Sequence, residues 1–186
     1  SSAGSDVYKR QDQDLIKIFG LQGIKLPEIK NNADNFGVTN LFGGEIKISG
    51  MAGDQQAALF GQACFENGQI KSTYGTGCFL ILNTGKEILR SKNKLLTTIG
   101  YKLDNDVNYA LEGSIFVAGS LIQWLRDKMK FISSAPESEK LAKIADSDNE
   151  VSIIPSFTGL GAPYWKPDLK AAIHGLSPVS YTHLRA

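Results

Sequence analysis

Residues 49–62 read Ser-Gly-Met-Ala-Gly-Asp-Gln-Gln-Ala-Ala-Leu-Phe-Gly-Gln. One carboxylate, Asp54, falls in a glycine-punctuated junction between a β-like run (45–49) and a helix-like run (56–65). A carboxylate at such a junction can accept the proton of a hydroxyl, and the adjacent amides Gln55 and Gln56 can hold further hydroxyls. Asp before a helix also serves as an ordinary N-cap, worth about 1 kcal/mol. The two roles are compatible, because the helix N-terminus keeps a carboxylate ionised.

Three further patterns carry chemistry. In Ser72-Thr73-Tyr74-Gly75-Thr76-Gly77, glycines on both sides of Thr76 let a phosphate approach the backbone, and the hydroxyl can donate to it. No Gly-Lys-Ser/Thr follows, so this is not a P-loop, and a plain hairpin turn has the same composition. Gly119 and Gln123 lie four apart on one flank of a helical stripe. A glycine inside a helix costs about 1 kcal/mol relative to alanine, so a nucleotide or a closely packed helix would explain it. Residues 157–165, Phe-Thr-Gly-Leu-Gly-Ala-Pro-Tyr-Trp, form a Gly/Pro loop with aromatic ends, suited to lining a cleft or plugging an interface.

The elements that must position these residues follow from periodicity. A short helix is predicted over 12–20, ending at Gly20. Residues 31–44 read as loop, and 45–48 as a strand with one buried face. A helix spans 56–65. Residues 70–74 and 78–82 read as a hairpin about the turn at 75–77. A second strand pair, 95–103 and 107–111, is joined by Asp104-Asn105-Asp106. The clearest helix is predicted over 113–130, with Ala118, Leu121, Ile122, Leu125 and Met129 on one stripe. Ser134 and Glu137 fit a capping box that opens a helix to about 145. A short buried strand at 151–154 and a last strand at 171–176 follow. A mixed sheet with helices packed on it is the architecture this order implies.

Composition limits the partners. The chain is 42% hydrophobic, enough for a packed core, and its net charge of +1 comes without a long basic block. Nucleic acid is therefore not expected as a partner. The longest apolar runs, 78–82 and 115–118, are too short to span a bilayer, so no membrane association is expected. The two cysteines, Cys64 and Cys78, lie in no Cys/His cluster and read as reduced buried thiols. No metal site is expected from the protein's own side chains.

Taken together, residues 49–62, 72–79, 108–127 and 155–165 resemble the glycerol kinases, within the FGGY carbohydrate kinases. Tyr-Gly-Thr-Gly-Cys-Phe, Asn-Tyr-Ala-Leu-Glu-Gly and Phe-Thr-Gly-Leu-Gly-Ala-Pro-Tyr-Trp are the specific matches. The resemblance implies an α/β ribonuclease H-like fold of the actin/hexokinase type, with two domains closing on a cleft. It implies cytoplasmic, ATP- and Mg²⁺-dependent phosphorylation of glycerol to sn-glycerol 3-phosphate. It assigns Asp54 as catalytic base and glycerol ligand, Gln55 as a glycerol-binding amide and Phe79 as an apolar wall against the glycerol carbons. Thr76, Gly119 and Gln123 match nucleotide-binding positions. Leu41 and Glu45 stand where some bacterial members carry basic residues of a fructose-bisphosphate site, so that regulation is not expected.

The resemblance also implies an organisation. Residues 12–48 would end the first domain and 49–178 would begin the second. Segments 1–11 and 179–186 resemble translated adapter sequence. The family's N-terminal phosphate-binding hairpin and its later adenine-gripping Gly-Gly segment are not found, so an internal fragment, inactive alone, is expected. The oligomeric state is left open, a homo-oligomer included. Two alternatives are carried forward: a kinase for another polyol or a ketose, and a non-catalytic actin-like nucleotide-binding module.

Overall fold

The computed structural model describes residues 12–145 and 150–178. The terminal segments read as foreign, 1–11 and 179–186, lie outside the described residues. The chain divides into two compact units. One takes in the residues up to Lys71 together with Leu80–Glu112; the other takes in Ser72–Phe79 and the residues from Gly113 onward.

In the first unit, helix α1 (Gln13–Ile18) is capped by Asp12, whose side chain accepts from the amides of Asp14 and Leu15. It closes at Gly20, in the left-handed region at φ 65°, with Leu21 N donating to Ile16 O and Gly20 N to Lys17 O. This is the paired bonding that ends many helices on glycine. The predicted loop at 31–44 contains a strand after all: β1 (Val38–Thr39) pairs antiparallel with β2 (Ile46–Lys47). Both β2 residues are exposed, so the expected buried face is not present. Two residues of alternation are too few to define a buried side.

Helix α2 (Asp54–Gly61) starts two residues before the predicted span and stops four residues before its end. Its stop repeats the bonding of α1: Cys64 N donates to Leu59 O and Ala63 N to Phe60 O, with Ala63 at φ 55°. Here an alanine holds the left-handed position that glycine usually takes, which hid the stop in the sequence. Leu59 and Cys64, both drawn inward by this turn, form the core of the unit with Ile81 and Ala110.

A four-stranded sheet has the order β3-β4-β6-β5, built from β3 (Ile70–Tyr74), β4 (Cys78–Gly85), β5 (Leu96–Leu103) and β6 (Asp106–Ile115). β5 and β6 pair antiparallel as expected, with a bulge between Ile99 and Tyr101. Helix α2 packs against β5, where Gly100 leaves room for Leu59. Asn83, wholly buried, satisfies both ends of its amide, donating to Cys64 O and accepting from Gly85 N, each at 2.8 Å.

In the second unit the predicted long helix at 113–130 is corrected. Residues 113–115 continue β6, and helix α3 is Gly119–Asp127. Sheet pairing overrides the helical periodicity of that first stretch. Helix α4 (Ala135–Ile144) packs on α3 and carries Pro136 in its first turn. The capping box is altered: Ser134 makes no side-chain cap bond, and Glu137 instead accepts from Ser133 N at 2.7 Å. Strands β7 (Ser152–Ile154) and β8 (Ala172–His174) pair antiparallel. Only Ile153 of β7 is even half-buried, so the buried strand expected at 151–154 is not seen.

Two outcomes are expected from chemical denaturation. Leu59 is fully buried, so Leu59→Ala lowers stability by about 2–5 kcal/mol. Ala63→Gly, which relieves the left-handed alanine, raises it by about 0.5–1 kcal/mol. Unchanged midpoints would contradict the packing and the helix stop respectively.

Candidate functional site

The chemistry-bearing residues fall in both units. In the first unit, the stretch leading to Asp54 is tied down by Asn32. Its amide donates to Met51 O and accepts from Lys102 N, each at 2.7 Å, while Met51 N donates to Asn32 O at 2.9 Å. One loop residue thus clamps the 49–53 segment beside β5. Sequence reasoning passed over Asn32 because an asparagine in an Asn/Gly-rich stretch carries no signal beyond turn propensity.

Asp54 is the first residue of α2, and Gly53 is the cap, making no side-chain bond. The plain N-cap role is therefore not the one Asp54 plays. Its carboxylate is exposed, with Oδ1 accepting from Gln55 N at 2.9 Å and Oδ2 from Gln55 Nε2 at 3.2 Å. An exposed carboxylate at a helix start, aimed by its neighbour, is of a kind that can accept a proton from a bound hydroxyl.

Behind Gln55 lies a residue the sequence reading missed. Lys71, on β3, is 1% exposed and its Nζ donates to Gln55 Oε1. Burial lowers the Lys71 pKa from the ordinary lysine value, while the negative charges of Glu112 and Asp54 oppose that fall. A lone lysine on a strand edge of alternating pattern gives no hint in sequence that it points inward.

In the second unit, Thr76 and Gly119 are brought together. Thr76 O accepts from Ala118 N (2.9 Å), Ser120 N (3.2 Å) and Ser120 Oγ (2.9 Å), and Gly119 N donates to Gly75 O at 2.9 Å. The turn at 75–77 is thereby stapled to the start of α3. Both glycines have a backbone reason. A Cβ at residue 119 would sit 2.5 Å from Gly75 O, and one at residue 77 would sit 2.4 Å from Ile115 O. Gly119 therefore opens its helix instead of interrupting one, and its missing side chain makes room for the turn.

The staple consumes the amides at the start of α3 but leaves the Thr76 side chain exposed. Among the described residues its hydroxyl has no hydrogen-bond partner. Gln123 follows one turn after Gly119 and is exposed. Phe79 is the second residue of β4 and is half-buried. In the 157–165 loop, Phe157 packs on Trp124 of α3 with ring centroids 5.1 Å apart, so one aromatic end serves packing. Tyr164 is exposed. The described cysteines are free: Cys64 is buried as expected, but Cys78 only partly.

Gly119→Ala is expected to cost about 1–3 kcal/mol, since backbone and not a flexible side chain must yield. Gly44→Ala, where nothing lies within 4 Å, is the control and should stay within about 0.5 kcal/mol. Equal midpoints for the two variants in urea unfolding would count against the staple.

Residues 70–182 match the model for the FGGY family of carbohydrate kinases, C-terminal domain. The chain is 59% identical over 168 residues to a glycerol kinase of Rhizobium rhizogenes and 57% to one of Sinorhizobium fredii. Each match covers 89% of this chain and 34% of the relative, so the chain spans about a third of the length of these relatives. Among solved structures, Plasmodium falciparum glycerol kinase with ADP is similar at a TM-score of 0.79 and 40% identity, covering 98% of this chain and 38% of that one. A xylulose kinase from Lactobacillus acidophilus shares the fold, with a TM-score of 0.67 and 18% identity over 95% of this chain and 36% of its own. The chain belongs to the FGGY family of carbohydrate kinases.

Proposed function

We propose that the protein containing this chain is a glycerol kinase, transferring the γ-phosphoryl group of ATP to a terminal hydroxyl of glycerol in the cytoplasm. The observation that carries the reading is Asp54: an exposed carboxylate at the start of α2, with both oxygens engaged by Gln55. The identity of 57–59% to proteins named glycerol kinase supports glycerol over a ketose, since the xylulose kinase is similar at only 18%.

In the proposed reaction Asp54 takes the proton from a terminal hydroxyl. The freed oxygen attacks the γ-phosphorus, the bond to the β–γ bridging oxygen breaks, and ADP leaves with that electron pair. Gln55 has one Nε2 hydrogen committed to Asp54 and its Oε1 to Lys71. The remaining hydrogen can donate to a second glycerol hydroxyl, so this amide acts as donor and not acceptor. Phe79 shields the carbons. The Thr76 hydroxyl donates to a phosphate oxygen, and Gly119 and Gln123 lie along the nucleotide.

Mg²⁺ belongs to this reading as a companion of ATP. Among the described residues no three His, Cys, Asp or Glu side chains cluster to hold a metal. When bound, Mg²⁺ neutralises phosphate charge. Among the described residues no helix is long and apolar enough to cross a membrane.

The test uses the full-length protein. Glycerol-dependent release of ADP with formation of glycerol 3-phosphate is expected, with xylulose a much poorer substrate. Asp54→Asn is expected to lower kcat by about 10²–10⁴ while ATP affinity changes less than about threefold. ADP release indifferent to glycerol would point to the actin-like module instead, and a fully active Asn variant would remove Asp54 as the base.

A further inference from the structure

We propose that Lys71 is a positioning residue for the reaction, acting through Gln55 on the orientation of the Asp54 carboxylate; this rests on the kinase reading above. Lys71 sits on β3, Gln55 and Asp54 at the start of α2, and Glu112 on β6. The Lys71 side chain is all but out of solvent, and its Nζ donates to Gln55 Oε1.

The chemistry of the donor fixes the rest. The Lys71 ammonium offers donors and no acceptor, so it is the Gln55 oxygen that faces it. The amide is planar and has two ends. With Oε1 committed to Lys71, Nε2 must point the other way, and there it donates to Asp54 Oδ2 at 3.2 Å. The second carboxylate oxygen is fixed independently by Gln55 N at 2.9 Å. Lys71 and the carboxylate therefore favour the same turn of the amide, and Lys71 anchors its far end. Without that anchor the amide is held from one side only, and the aim of Asp54 loosens.

The alternative is that Lys71 is packing: a long side chain that fills space beside β3. The two roles make opposite demands. Methionine matches the apolar length of lysine, so a role that is only space-filling tolerates it. Arginine keeps the donors but adds bulk, so a packing role suffers from it. A positioning role ranks them the other way.

The experiment measures kcat and KM for glycerol in the full-length wild type, Lys71→Met, Lys71→Arg, Gln55→Leu and the Met/Leu double variant, with unfolding midpoints alongside. Lys71→Met is expected to lower kcat by roughly 10- to 100-fold, the scale of a small misplacement of a reacting group. Lys71→Arg should lose less. In the Gln55→Leu background the further loss from Lys71→Met should be under about twofold, because the relay is already cut. The proposal is overturned if Lys71→Met keeps kcat within twofold, if the arginine variant is the worse of the two, or if the two losses multiply. Should the methionine variant not fold, the arginine variant decides, a loss beyond tenfold counting against the proposal.

If the wild type does not phosphorylate glycerol, the kinase reading fails, and the relay is judged on geometry alone. The Gln55 side-chain NH₂ resonances are identified by their loss in Gln55→Leu. Their movement to solvent-exchanged positions in Lys71→Met would sustain the relay, and unchanged resonances would overturn it.

Discussion

The amide of Gly119 lies 2.9 Å from the carbonyl of Gly75, at a distance where a single methyl group on residue 119 would strike that oxygen. Most of the second unit's geometry follows from this approach. It brings Ala118 and Ser120 over Thr76, whose carbonyl then accepts three bonds. It needs Gly77 as well, because the same turn presses on the Ile115 carbonyl from its other side. A turn held by backbone at both edges has little freedom to adapt. What it presents outward, the Thr76 hydroxyl, is therefore placed by the fold before any ligand arrives, and such preorganisation is what phosphoryl transfer chiefly asks of a protein.

The first unit meets the same need with side chains. Asn32 clamps the 49–53 segment by using both ends of one amide. Leu59, fitted against Gly100, seats α2 on β5 and so fixes where its first residue, Asp54, begins. The carboxylate itself is exposed, yet its direction is specified, because the residue after it holds both oxygens. Exposure and orientation are thus separately controlled: the core sets the helix, and an amide sets the acid.

Two helix stops show what was legible in the sequence. Both α1 and α2 end by the same pair of bonds with a left-handed residue. Gly20 announced the first; Ala63 concealed the second, and the helix was extended to 65. Likewise the hairpin about 75–77 and the β5–β6 pair were legible from turn residues and alternation, whereas Gly119 was read as a helix-interior glycine. Its true neighbour, Gly75, is 44 positions away in sequence. The candidate residues carried by local pattern, Asp54-Gln55 and Gly-Thr-Gly, stand out in the sequence without coordinates. Asn32 and Lys71 could not, since their meaning lies in partners at positions 102 and 55 that no period connects to them.

Lys71 lies behind the start of α2 and bonds the amide that holds Asp54. A lysine with 1% of its surface exposed is a cost to folding, as burial lowers its pKa from the ordinary value. Glu112 and Asp54 return part of that cost by their charge. A methionine in its place would fill a similar volume but would leave those carboxylates without the cation and Gln55 Oε1 without its donor. Through that amide, whose other end donates to Asp54 Oδ2, the buried lysine is linked to an exposed carboxylate at the start of α2.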